Sequence, residues 1–120
     1  MGRSHGLRVW HAARLYAAEI NVVVAQLPRR TPVGLRSQLT TAARSVSNCI
    51  AEGAGRGTRG EALHYYRMAR GSLEETQDHL RELKECELID RATFFRLWNR
   101  SKVIDRMLAK LIDGLERGEN

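Results

Sequence analysis

Cysteine is scarce in this chain: Cys49 and Cys86 are the only two in 120 residues, far apart and without C-x-x-C spacing. That pattern indicates neither a zinc knuckle nor a disulfide framework. Both thiols fall near helical apolar stripes, where burial is the expected fate. Long hydrophobic runs are absent too, and no stretch of 18 apolar residues is available to span a membrane. Met1 to Gly6 lacks the apolar core of a signal peptide, so the expectation is a single cytoplasmic domain. Lysine is in short supply, with Lys84, Lys102 and Lys110 the only three among twenty basic residues. The rest are arginines, whose planar fork holds two phosphate oxygens at once.

Catalytic patterns are missing as well. Ser72 lacks a G-x-S-x-G elbow, and His5, His11, His64 and His79 show no H-E-x-x-H spacing. Glu75, His79 and Glu82 share one helical face and form the only cluster suited to a metal. A carboxylate-bridged metal in a helical bundle needs matching Glu and Glu-x-x-His sets on several helices, and none is present. A solvated face pairing with arginines such as Arg81 is the reading favoured here. These residues point to no enzyme, no cofactor and no metal.

What the chain does have is helical periodicity. A first helix is expected over about 7–27, with Leu7, Trp10, Ala13, Ala17, Ile20, Val24 and Leu27 three or four apart. Val22-Val23-Val24 widens that stripe, so more than one side of the helix needs cover. Thr31-Pro32 reads as N-cap and first-turn proline, opening a second helix over 32–52. There Leu35, Leu39, Ala42, Val46, Cys49 and Gly53 alternate by four and three, a heptad seam of small residues. Arg36, Thr40, Arg44 and Ser47 fall off the seam and form a polar, basic face. A third helix over 59–87 repeats the spacing with Ala62, Tyr66, Ala69, Leu73, Thr76, Leu80 and Leu83. Gly71 inside it costs about 1 kcal/mol against alanine, which points to close packing there. The fourth helix, over 90–116 with Asp90 as N-cap, carries Phe94, Leu97, Ser101, Ile104, Leu108, Leu111 and Leu115. Beside that seam runs a second stripe of Phe95, Trp98, Val103, Met107 and Ile112. The fold class is therefore all-α, an antiparallel up-down-up-down four-helix bundle in one domain, 1–120. The surplus apolar stripes on the first and fourth helices imply oligomerisation.

The chain is organised around its central corner. Gly53 follows the last apolar-periodic residue and is expected to close the second helix in the left-handed conformation. Thr58 and Glu61 then form a capping box for the third. Glu52, at a helix C-terminus where negative charge is disfavoured, is expected to have a cationic or hydrogen-bonding partner, with Arg56 the nearest candidate. No strand precedes the glycines, so a dinucleotide-binding loop does not fit.

Ala42-Ala43, Ile50-Ala51-Glu52-Gly53, Gly55-Arg56, Thr58 and Glu61, followed by Gly71-Ser72-Leu73 and Glu75, resemble the signature of a bacterial four-helix-bundle family. That family includes the 23S rRNA intervening-sequence proteins and the accessory variability determinants of diversity-generating retroelements. The Leu7-x-Val9-Trp10 opening is similar to its first helix. Cys49, where asparagine is usual, and Tyr65-Tyr66, where Arg-Phe is common, depart from the pattern. The resemblance implies a homopentameric ring or barrel. It also implies a nucleic-acid partner, structured RNA above all, and in the retroelement branch assistance to a reverse transcriptase.

Charge supports the same direction. The net charge is +6. Residues 1–60 carry nine arginines and two glutamates, whereas 61–120 carry eleven basic and twelve acidic groups. Arg29, Arg30, Arg36, Arg44, Arg56 and Arg59, on the second helix and the loops at its ends, are the candidate nucleic-acid-binding residues. Five copies in a ring would carry roughly +30, a field that recruits polyanions. Without a base-reading motif, binding led by phosphates and shape is expected. The alternative is a protein-interaction scaffold whose basic surface docks an acidic partner.

Overall fold

The computed structural model of the chain describes residues 2–118, with side chains from Gly6 onward. Met1 and the tail residues Glu119 and Asn120 lie outside the described residues, and so does the side chain of His5. Four helices and no strand occur among the described residues: α1 Gly2–Ala25, α2 Leu35–Ala54, α3 Arg59–Glu85 and α4 Arg91–Glu116. α1 lies against α2 and α4, and α3 against α2 and α4, with no close backbone approach across either diagonal. Neighbours run antiparallel. A side chain on Gly6, in the second turn of α1, would begin 3.8 Å from Ala54 at the end of α2. Arg67, early in α3, pairs with Glu116 at the end of α4. The molecule measures 48 Å along its longest axis and 23 by 18 Å across, somewhat longer than the roughly 40 Å of its longest helix at 1.5 Å per residue because the connecting turns add to the ends.

Every seam position named for the second, third and fourth helices is buried. Burial of these stripes removes apolar surface from water at about 25 cal/mol per Å², which is what holds four marginal helices together. The first helix differs from its expected register. Val9, Ala13, Tyr16, Ile20, Val23, Val24 and Leu27 are buried, while Leu7 is exposed. Tyr16 lies on the buried stripe, and its hydroxyl meets Thr76 Oγ1 at 2.8 Å across the core. Thr76 and Tyr16 share that bond while Thr76 also meets the Leu73 carbonyl. Nearby, the Gln77 amide donates to Ser101 Oγ at 3.0 Å. Burial pushes the Tyr16 phenol up to about 12, against smaller opposing contributions from Thr76 and Ser101.

Several local expectations are corrected. α2 starts at Leu35 rather than 32, capped by Gly34 in the left-handed region (φ 89°) with no side-chain cap. The Thr31 hydroxyl turns back to donate to the Pro28 carbonyl at 2.6 Å, so it is not free to cap the second helix. Gly53 does not end α2; the helix continues through Ala54 to Gly55. Its lack of a side chain serves another purpose, since a Cβ there would sit 2.7 Å from the buried Tyr66 ring. Gly71, expected at a close helix contact, has open space around it. Cys49 is buried but Cys86 is exposed beyond α3, and Ser47 is buried rather than part of a basic face. The capping signals at Thr58 and Asp90 hold: Thr58 Oγ1 accepts from the Glu61 amide at 3.2 Å, and Asp90 accepts from the Thr93 amide at 2.7 Å.

Candidate nucleic-acid interface

The six arginines singled out from the sequence do not gather into one patch. Arg30 and Arg36 lie at one end of α2 and Arg56 and Arg59 at the other, about 30 Å apart for a 20-residue helix. Three of them are engaged within the fold. Arg30 donates to the Cys86 and Glu87 carbonyls at 3.4 and 3.0 Å, meeting the negative end of α3. Arg36 donates to the Leu27 and Pro28 carbonyls at 3.0 and 2.8 Å, closing the loop between α1 and α2. Arg56 bonds Glu52 at 2.8 Å, as the corner demanded, and the Tyr65 hydroxyl at 3.0 Å. Its guanidinium also covers the Tyr65 ring at 4.7 Å. Arg29, Arg44 and Arg59 are exposed, and no ion pair to them occurs among the described residues.

A stronger concentration of cations lies on α4, which half-chain totals conceal. Between residues 91 and 112 stand Arg91, Arg96, Arg100, Lys102, Arg106 and Lys110 against a single acid, Asp105. Asp105 turns inward to Arg70 at 3.4 Å, and Arg100 pairs with Glu19 of α1. Arg96, Lys102, Arg106 and Lys110 are left on the outward face. The acidic groups of α3, of the turn after it and of the last turns of α4 offset this charge in a sum over residues 61–120. A charge count taken helix by helix would have found it.

Aromatic rings are interleaved with cations where α3 meets α4. Phe94 is buried, with Trp98 stacked on it at 5.5 Å and Phe95 edge-on at 5.1 Å. Arg81 lies 4.7 Å and Lys102 5.8 Å from the Trp98 ring. Lys84 lies 4.4 Å from the Phe94 ring and 5.8 Å from Phe95, and Arg91 lies 5.5 Å from Phe95. The corner is shaped by the end of α3. Glu87 takes the left-handed conformation (φ 56°). The Leu88 amide reaches back to the Leu83 carbonyl at 2.8 Å and the Glu87 amide to Lys84 at 3.0 Å, the paired bonds of a Schellman stop. Beside it opens a cleft of about 680 Å³ lined by Lys84, Glu87, Ile89, Asp90, Arg91 and Phe95. Hydrogen bonds from the Thr93 side chain and backbone hold the Asp90 carboxyl below its ordinary range.

Elsewhere, His79 Nε2 lies 3.6 Å from Glu75, and Ser72 shares a 2.8 Å hydrogen bond with Ser45. No group of three metal-ligating side chains occurs among the described residues. No helix among them is long and apolar enough to cross a membrane.

The architecture recurs in known proteins. A crystal structure from Bacteroides thetaiotaomicron, of a protein of the S23 ribosomal protein family with unknown function, matches with a TM-score of 0.83 at 20% identity. The match covers 91% of this chain and 98% of that one, and at such identity it speaks for the fold alone. No curated protein matches the sequence. The model of one sequence family extends over residues 5–110, which takes in the first three helices and most of α4, and by that match the chain belongs to the 23S rRNA-intervening sequence protein family.

Proposed function

We propose that the protein is a non-catalytic, oligomeric binder of nucleic acid, structured RNA in particular, acting through its exposed cations. The observation that carries this is the set Arg29, Arg44, Lys102, Arg106 and Lys110. Each is exposed, and none has a carboxylate within ion-pair distance among the described residues. Unpaired cations on a rigid scaffold exchange counterions for phosphates, and their release drives association. The family's association with rRNA intervening sequences agrees with an RNA partner. In the related retroelement systems the same class of bundle would serve a reverse transcriptase and its template. Rings of five such bundles would multiply the field.

Titration of a labelled structured RNA by anisotropy across a salt series tests this reading. The expected log–log slope is about −4 or steeper, corresponding to roughly five neutralised phosphates. Replacing Arg106 and Lys110 by Gln should make the slope shallower by about one for each phosphate partner removed. Absence of binding at low salt would instead favour a scaffold that docks an acidic protein.

A further inference from the structure

The corner between α3 and α4 combines three features. A large aromatic side chain, Phe95, is 39% exposed although it belongs to a folded core helix. Two cations from different elements approach its ring, Lys84 from α3 and Arg91 from the first turn of α4. An open cleft of about 680 Å³ lies against the same three side chains, within the size range of sites that take small organic ligands. From this arrangement we infer that the corner is a docking site for an unpaired nucleotide of RNA, its base stacked on Phe95 and its phosphate held by Lys84 and Arg91. The inference rests on the nucleic-acid reading above and adds where a strand sits and in what state.

The chemistry selects the ligand. Every nucleobase has a π face that stacks on an aromatic ring without regard to sequence. Inside a duplex that face is already covered by neighbouring bases, so only a loop, bulge or end can offer it. The cation–ring contacts at the surface are weak enough for Lys84 and Arg91 to turn to a phosphate. Further along, Arg81 and Lys102 flank the Trp98 ring and continue the cationic track beside α4. The carboxylates of an acidic peptide would meet the same cations, but Asp and Glu side chains carry no flat ring to cover Phe95.

Two carboxylates line the cleft and act differently. Asp90 is committed to the Thr93 amide as the cap of α4. Glu87 has no cation within ion-pair distance among the described residues, so it opposes an incoming phosphate. Its removal should therefore strengthen binding, the reverse of what removal of a polar contact usually does.

The test compares a fluorescein-labelled oligouridylate with a blunt RNA duplex of equal length, by anisotropy at fixed salt. Phe95→Leu keeps an apolar side chain but removes the ring. It should weaken oligouridylate binding about fivefold to a hundredfold, the range measured for stacking on an aromatic. Duplex binding should change little, and Phe95→Tyr should restore the wild-type value. Glu87→Gln should tighten oligouridylate binding about two- to fivefold. Wild-type binding with an unchanged Phe95→Leu affinity would overturn the site while leaving the general nucleic-acid reading in place. Equal weakening on both probes would overturn the preference for unpaired nucleotides. A changed sedimentation coefficient in Phe95→Leu would assign the ring to a contact between copies and likewise overturn the site. Failure of the wild-type protein to bind either RNA at low salt would overturn both readings together.

Discussion

Gly53 shows how much one side chain's absence can determine. Tyr66 is buried against the space where a Cβ would stand, 2.7 Å from its ring, and α2 and α3 approach each other there. Gly53→Ala removes the helix penalty of glycine but forces the ring aside. Overpacking of this kind costs about 1–3 kcal/mol, so a lower unfolding midpoint in urea is the expected outcome. A rise would mean that Tyr66 relocates freely. Tyr16 offers a second test at this scale. Its phenol is raised by burial from 10.0 to about 12, so the folded state holds the proton more tightly than the unfolded one. The linked stability is complete below pH 10 and is lost as pH rises from 10 towards 12. Tyr66 shifts in the same direction, also by burial. Tyr16→Phe should flatten part of the alkaline loss of stability followed by circular dichroism, and an unaltered pH profile would contradict the buried-phenol account.

At the level of the helices, caps and seams follow local rules and the departures have tertiary causes. Thr58 and Asp90 cap α3 and α4 through the expected hydroxyl and carboxylate. Thr31 does not cap α2, because its hydroxyl is drawn to Pro28 while Arg36 grips the carbonyls of the same turn. Gly71 is the opposite case: it lies mid-helix, exposed, with nothing within 4 Å of an added Cβ. Gly71→Ala should therefore raise stability by about 0.5–1 kcal/mol, the propensity difference alone. A loss of stability would require a packing partner on that face, in the assembled form if not in the single chain. Spacing alone leaves the register of α1 open, because its mixture of alanines and valines allows several stripes. The one adopted buries Tyr16, whose hydroxyl meets a partner 60 residues away.

Across the whole molecule, several large apolar side chains remain outward, on more than one helix. Leu7, Leu15 and Val22 of α1 are 56%, 62% and 58% exposed, and Val103 of α4 is 44% exposed. Exposed apolar side chains of this kind are what the proposed assembly of copies would bury. Leu15→Glu with Val22→Glu should lower the sedimentation coefficient without loss of helicity, since neither side chain belongs to the core. An unchanged coefficient would remove the α1 face from the assembly. Four helices, three of the four seams and the capping box that opens α3 are legible in the chain, because periodicity and capping depend on residues a few positions apart. The position and use of charge are not. Arg30 and Arg36 read as phosphate ligands until the fold brings backbone carbonyls to them. The α4 cations vanish in a sum over the whole second half of the chain, and Phe95 reads as one more member of an apolar stripe. Sequence by itself determined which segments are helical and which faces of α2, α3 and α4 are buried, through local spacing and hydrophobicity. Only the tertiary structure decided which charges and rings stay free for a partner, because that depends on what a different helix places opposite them.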